Sequence, residues 1–419
     1  MLKITRKTLL STFLTVMSAV SFVTGQDTVP VLNPHQTVTF SLEPSQEQTY
    51  TIKLRENGFA EINWLVSDGV VLSVEIFDPL SKKLESISSD DWNGESLLFV
   101  APKEGAYRLV VQYRKESETK NKQNISIEFN DKFNLPPKAK LKDSRTINGF
   151  NIKIMSTSDA NYVLFEKNGV LKRIMESDGG LADYIGFSFP DRLEAKMTAQ
   201  ARQKAALLRN TLDKSGDGIP DVMIDYYSDG THCCYQNYFI NLGETVEQIE
   251  SINTGHVGMW PFGKNPKGGL FFETADNTWA YWPDAFVSSA FPTVILEFRG
   301  NKLTPAFDQM KRSAPSLAVL RKKAEVAGNQ ISLFPYYGED DENHGTQSLF
   351  QENVNDFSNT FYSEMLDLIY SGNEALAWQF FDLVWPRNKS GKELFRRDFN
   401  KRLSESNYWQ TILKDGKGK

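Results

Sequence analysis

Between Thr37 and Phe129 apolar side chains recur at every second position in short runs: Val38/Phe40/Leu42, Tyr50/Ile52/Leu54, Leu72/Val74/Ile76, Tyr107/Leu109/Val111 and Ile125/Ile127/Phe129. A period of two puts one set of side chains on one face of a strand, so each run buries a single face and leaves the other to solvent. Turn dipeptides separate the runs, among them Asn57-Gly58, Asp68-Gly69, Asp78-Pro79, Asn93-Gly94 and Glu104-Gly105. Short strands at this spacing predict an antiparallel β-sandwich over 30–130.

The segments Phe40-Ser41-Leu42, Tyr50-Thr51-Ile52, Leu72-Ser73-Val74-Glu75-Ile76-Phe77-Asp78-Pro79 and Phe99-Val100-Ala101-Pro102-Lys103-Glu104-Gly105-Ala106-Tyr107-Arg108-Leu109, in this order, resemble the bacterial pre-peptidase C-terminal (PPC) domain. The resemblance covers about a quarter of the chain. It implies a jelly-roll-like accessory module of secreted bacterial proteins rather than a catalytic one.

The pattern changes at Asn134-Leu135-Pro136-Pro137, where paired prolines and the nearby Lys138, Lys140 and Lys142 favour an extended, solvated chain, so a linker is expected over 131–145. A second β domain then spans 146–312. It opens with Tyr162 to Lys167 and Val170 to Ile174 on either side of Asn168-Gly169, a dipeptide suited to the positive φ angles of a tight hairpin turn. Further strands are expected at Val222 to Tyr227, Tyr235 to Leu242, Gly269 to Glu273 and Thr293 to Phe298. A helical insertion is expected at about 192–210, a stretch rich in Ala, Leu, Lys, Gln and Arg without Gly or Pro.

Over 313–419 the period becomes helical, with Met365/Leu368/Ile369, Ala375/Trp378/Phe381 and Phe395/Phe399/Leu403 spaced by three and four. Gly372 and Pro386 punctuate helix ends, and Ser390-Gly391-Lys392-Glu393 has the form of a capping box. Trp378, Trp385 and Trp409 are expected in the core of this cap rather than in a ligand cleft. The fold class is therefore mainly β with a helical C-terminal cap.

The amino terminus reads as an export signal. Lys3, Arg6 and Lys7 precede an apolar run from Thr8 to Val23, and Val23 and Gly25 are small residues at the positions that precede cleavage, so 1–25 is expected to be removed. Removal takes the formal net charge from −6 to −9, because the segment carries those three basic residues and no acidic one. An acidic mature chain argues against a nucleic-acid partner. No later run approaches the length of a spanning helix. The expected location is the periplasm or the cell exterior. The sequons at Asn124 and Asn388 matter only in a eukaryotic secretory host.

The run Asp213-Lys214-Ser215-Gly216-Asp217-Gly218-Ile219-Pro220-Asp221 leads straight into the expected strand at Val222. Oxygen side chains stand at positions 1, 3, 5 and 9, a glycine stands at 6, and position 7 offers its carbonyl, which is the ligand order of a calcium loop. Carboxylates packed this closely repel one another unless a cation sits among them. Position 12 is Ile224 instead of a bidentate Glu, and a strand follows in place of a helix, so the loop is not an EF-hand. It resembles the calcium loop of FG-GAP and VCBS-type repeats, which occur in propeller blades. By that resemblance Asp213, Ser215, Asp217, Ile219 through its backbone, and Asp221 bind a structural Ca²⁺. A plain solvated turn is the competing reading. Only one good copy of the loop is present: Phe262 to Phe272 sits where a second would come and lacks the acidic residues.

The chain has two cysteines, Cys233 and Cys234, adjacent in Tyr226-Tyr227-Ser228-Asp229-Gly230-Thr231-His232-Cys233-Cys234-Tyr235. This segment, with Thr278-Trp279-Ala280-Tyr281-Trp282 and Phe291-Pro292-Thr293-Val294-Ile295-Leu296, resembles a group of exported bacterial proteins that carry Gly-Gly-x-His-Cys-Cys and have no assigned reaction. Asp229 stands at the first glycine position. Four readings of the pair stay open: a vicinal disulfide, a buried thiol pair, soft-metal ligands with His232 and His256, or a nucleophile with His232 as base.

No His-Glu-x-x-His, Gly-x-Ser-x-Gly or Cys-x-x-Cys occurs, and Gly258 to Asn265 fails as a P-loop because Asn265 replaces the Ser or Thr that holds Mg²⁺. The sequence thus points to an exported, non-catalytic, calcium-stabilised protein that binds a protein or a glycan at the cell envelope. The alternative is a secreted hydrolase with a Cys/His site near 232–234 beside the aromatic segment Trp279 to Trp282.

Overall fold

The computed structural model describes residues 29–67, 70–88, 96–114, 121–158, 160–178, 181–185, 208, 210–227, 234–282, 286, 289–332, 360–385, 387 and 391–417. The expected signal peptide, nearly all of the expected helical insertion, His232, Cys233, Pro386 and Ser390 lie outside them. Among the described residues, twenty strands form five four-stranded antiparallel sheets, and six α-helices follow.

Eight strands make the N-terminal sandwich: β1 (Gln36–Leu42), β2 (Glu47–Leu54), β3 (Phe59–Leu65), β4 (Leu72–Phe77), β5 (Lys83–Ser88), β6 (Ser96–Val100), β7 (Gly105–Tyr113) and β8 (Gln123–Asn130). One sheet runs β1-β8-β3-β6 and the other β2-β7-β4-β5, the interleaved order of a jelly roll. The alternation read from the sequence sets the core. Tyr50, Ile52 and Leu54 of β2, Leu72, Val74 and Ile76 of β4, and Ile125, Ile127 and Phe129 of β8 are all buried in one cluster.

The next twelve strands form three successive meanders. The first comprises β9 (Lys140–Ile147), β10 (Phe150–Ser156), β11 (Ala160–Lys167) and β12 (Val170–Asp178). The second comprises β13 (Leu181–Ile185), β14 (Asp221–Tyr227), β15 (Tyr235–Leu242) and β16 (Val246–Gly255). The third comprises β17 (Trp260–Lys264), β18 (Leu270–Ala275), β19 (Thr293–Arg299) and β20 (Lys302–Pro305). In each, neighbours in sequence are neighbours in the sheet. The Asn168-Gly169 turn joins β11 to β12 with φ of 53° and 74°, values that asparagine tolerates and glycine takes freely.

Alternation along the second meander tells how the three stack. Val222 and Ile224 of β14, with Ile240 and Leu242 of β15, pack on Phe150, Ile152, Ile154, Val163 and Phe165 of the first meander. Met223 and Phe239 point the other way, into a cluster with Leu270, Phe272, Leu296 and Phe298 of the third. The middle sheet is buried on both faces. The outer face of the first meander, through Tyr162, Leu164 and Ile174, meets Phe59 and Val100 of the sandwich.

That junction differs from the expected linker. Strand β9 begins at Lys140, and Phe133 packs its ring 5.5 Å from Phe59 and 5.9 Å from Tyr162. Phe133 thus anchors the start of the segment, while Pro137, Lys138, Lys140 and Lys142 stay exposed.

The helices are α1 (Phe307–Met310), α2 (Leu317–Ser332), α3 (Thr360–Tyr370), α4 (Glu374–Val384), α5 (Lys392–Ser404) and α6 (Trp409–Lys417). Met365, Leu368 and Ile369 of α3 and Phe395, Phe399 and Leu403 of α5 join the core of the third meander. On α4 the buried stripe is Ala377, Phe380, Phe381 and Val384, displaced from the expected one: Ala375 is exposed and Trp378 only half-buried. Helix α5 starts after Gly391, and Ser390, the first residue of the expected capping box, lies outside the described residues. Trp385 and Trp409 are core residues, and Trp378 packs 5.7 Å from Phe399. No described helix is long and apolar enough to cross a membrane.

Candidate metal centre

Residues 213–220 form an irregular loop that delivers Asp221 to the first position of β14. The Asp221 N–H donates to Leu212 O at 2.7 Å, and the Leu242 N–H donates to Pro220 O at 2.8 Å, so both ends of the loop are pinned by the sheet. Gly216 and Gly218 take φ of 84° and 88°. Such angles strain any side-chain-bearing residue and let the loop fold back on itself.

The folding-back brings one oxygen each of Asp213, Asp217 and Asp221 within 4.8 Å of one another. Their other bonds explain why. Asp213 accepts from the backbone N–H of Gly216 at 2.6 Å and of Gly218 at 2.9 Å. Asp217 accepts from Ile219 N at 2.8 Å and from Asn241 Nδ2 at 3.0 Å. Asp221 Oδ2 accepts from Lys214 N at 3.0 Å and Ser215 N at 2.8 Å. Its second oxygen, Oδ1, is buried with no hydrogen-bond partner, on a residue that is 0% exposed. A buried carboxylate oxygen left bare is costly, and a cation is one way to satisfy it.

Electrostatics lead the same way. Unit charges 4.8 Å apart repel by roughly 3.5 kcal/mol at an effective dielectric of about 20, less at the exposed Asp217. Burial pushes the Asp221 carboxyl up to about 6, the Asp217 charge adds to the rise, and the N–H bonds from Ser215 and Lys214 oppose it. Lys214 lies within the field of Asp221 and Asp213, whose charges oppose the effect of its burial. Its Nζ is turned to the carbonyls of Thr211 and Asp221, both at 2.9 Å, and burial pushes it down to about 8.

Of the five expected ligands, the three aspartates converge. Ser215 is buried with its hydroxyl 3.5 Å from Asp213 Oδ1, and Ile219 exposes its side chain while its N–H is bound to Asp217. Two participants were not foreseen. Asn241 faces Asp221 across the β14–β15 ladder and holds Asp217, and Gly269 packs its backbone against Ser215 and Gly216 while Leu270 N donates to Lys214 O at 2.9 Å. The strand register would have found Asn241, since Asp221 and Asn241 are direct partners. The segment Phe262 to Phe272, which looked like a failed second copy of the loop, braces the first one.

The cysteine region is less completely described. Cys234 is disulfide-bonded, so it offers neither a thiolate nucleophile nor a metal-binding sulfur; Cys233 and His232 lie outside the described residues. His256 sits among aromatic rings, 4.6 Å from Phe286 and 5.8 Å from Tyr281. In the aromatic segment considered for a hydrolase, Trp279 is fully buried against Phe399 and the half-buried Trp282 packs near Phe395, while Tyr281 is exposed. Residues Trp260–Lys264, inside the P-loop-like run, form a strand.

No protein family matches the sequence, and no curated relative matches it. Among solved structures, the chain is similar to the pre-peptidase C-terminal domain of a collagenase from Bacillus anthracis, at 16% identity and a TM-score of 0.20, covering 24% of this chain and 94% of that one. It is also similar to a periplasmic inhibitor of g-type lysozyme from Salmonella Typhimurium, at 15% identity and a TM-score of 0.19, covering 24% and 99%. A surface-associated copper-binding protein of Methylomicrobium album BG8 is similar at 8% identity and a TM-score of 0.19, covering 25% and 98%.

Proposed function

We propose that this chain is an exported, non-catalytic binding protein of the bacterial envelope, in which a PPC-like sandwich is joined to an FG-GAP/VCBS-like β unit stabilised by one structural Ca²⁺. The observation that carries the metal is the convergence of one carboxylate oxygen each from Asp213, Asp217 and Asp221, beside which the buried Oδ1 of Asp221 has no hydrogen-bond partner. All donors are oxygens, which suits a hard cation that tolerates irregular geometry. The three stacked four-stranded meanders support the blade-like reading of the unit. The ion fixes the start of the middle sheet and performs no chemistry. The partner is a protein or a glycan.

The test is thermal unfolding of the full chain in chelator and in calcium. A ligand at about 100 times its Kd adds about 2.7 kcal/mol when it binds only the folded state. Calcium therefore raises Tm for the native sequence and leaves Asp217→Ala unmoved. Identical melting in chelator and calcium would overturn the metal. Mass measurement of the exported product, with Gln26 as the expected first residue, tests the signal peptide.

A further inference from the structure

A second feature lies away from the aspartate loop. Where the sandwich, the first meander and the second meander come together, they line a half-open cavity of about 370 Å³. That size falls within the range of small-molecule sites, which favour junctions between structural units. Its walls come from β5 and β6, from β12, and from β15 and β16.

Arg173 of β12 is the central polar group. It is 9% exposed, and its Nη2 donates to Glu85 at 2.7 Å and to Gln248 Oε1 at 3.4 Å. Its Nε–H is buried and has no partner. A buried guanidinium donor without an acceptor is expensive to maintain, and an acceptor from a bound molecule removes the cost.

The charge balance indicates which acceptor. The ionisable lining groups other than tyrosine are Arg173, Glu85 and Glu176. Glu85 already answers the guanidinium, and Glu176 accepts from Ser96 Oγ at 3.3 Å. The lining therefore carries no spare positive charge for an anion, and a cation offers no acceptor to the bare Nε–H of Arg173. What it does offer is side chains that both donate and accept, from Gln236, Gln248 and Asn253. Hydroxyl groups have the same dual character.

We propose that this cavity binds a neutral sugar residue, one of whose oxygens accepts from Nε of Arg173. The proposal rests on the reading of the chain as a binding protein and specifies glycan as the ligand class.

The experiment is calorimetric titration of the full chain with glucose, galactose, mannose, N-acetylglucosamine and glucuronic acid. At least one neutral sugar binds in the millimolar range, and glucuronic acid binds more weakly. Arg173→Lys, which keeps the charge but removes the Nε donor, weakens binding at least about tenfold. Gln236→Trp, which fills the cavity without touching the Arg173–Glu85 pair, abolishes it with Tm retained. No binding by any of the five sugars, binding only by glucuronic acid, or binding that survives both substitutions overturns the proposal. The calcium-dependent Tm does not involve these residues, so it judges the broader reading separately.

Discussion

The Tyr370 hydroxyl donates a 2.5 Å hydrogen bond to Oδ2 of Asp276, joining the end of α3 to the turn after β18. Ser406, just before α6, donates to the same oxygen and accepts from Trp409 N at 3.0 Å. Burial, reinforced by the Asp276 charge, drives the tyrosine hydroxyl well above its ordinary range, so it stays a donor throughout the working pH range. This node is a polar fastening within the largely apolar contact between the third meander and the helices. Tyr370→Phe removes a bond to a charged acceptor, for which a loss of about 1.5–3 kcal/mol is expected. Urea unfolding will show it as a lower midpoint with an unchanged slope.

Gly269→Ala tests the bracing of the aspartate loop. A Cβ at this position would stand 2.8 Å from Gly216 N and 2.9 Å from Lys214 O, both backbone atoms that cannot swing aside. Overpacking of this kind costs about 1–3 kcal/mol. The substitution is expected to lower Tm and to weaken calcium binding, measured by titration against a competing chelator. Gly263→Ala, where an added Cβ meets nothing, is the control.

Glu273 supplies a pH signature. Burial raises its carboxyl above the ordinary 4.5, with a hydrogen bond from Trp260 pulling the other way. A folded pKa above the unfolded one means that the folded state holds the proton longer, so this contribution is complete below about 4.5 and is lost as pH rises through the folded value. Glu273→Gln removes the titration at nearly constant volume. The stability of the native sequence relative to this variant is expected to fall as pH rises above about 4.5, measured by urea unfolding at each pH.

Cys234 is expected to resist alkylation until the protein is reduced. Peptide mapping without reductant should find Cys233 and Cys234 in one peptide, two mass units lighter than the dithiol. Labelling of Cys234 in the unreduced protein would refute the pairing.

Much of the architecture was legible because strand alternation and turn chemistry agree locally. The expected Tyr235 to Leu242 coincides with β15, and Asn168-Gly169 closes the β11–β12 hairpin. Strands β16 and β17 were not read. The first, with sequence VEQIESINTG, is largely solvent-facing and lacks an apolar alternation; the second contains Pro261 and Gly263 with a register shift between them. Both features erase a period-two signal. At the site, the aspartates could be read from spacing within nine residues. The Arg173–Glu85 pair could not, because only the docking of β12 on the sandwich brings together residues so far apart in the chain.

The jelly-roll order carries a consequence for how the chain acquires its shape. Strand β1 has no neighbour in its sheet except β8, with Gln36 opposite Phe129. The first strand to leave the ribosome therefore waits for the last of its domain, and pairing across such a separation is slow. Until β8 arrives, β1 stands without a partner in its own sheet, so the sandwich closes only when its last strand is in place.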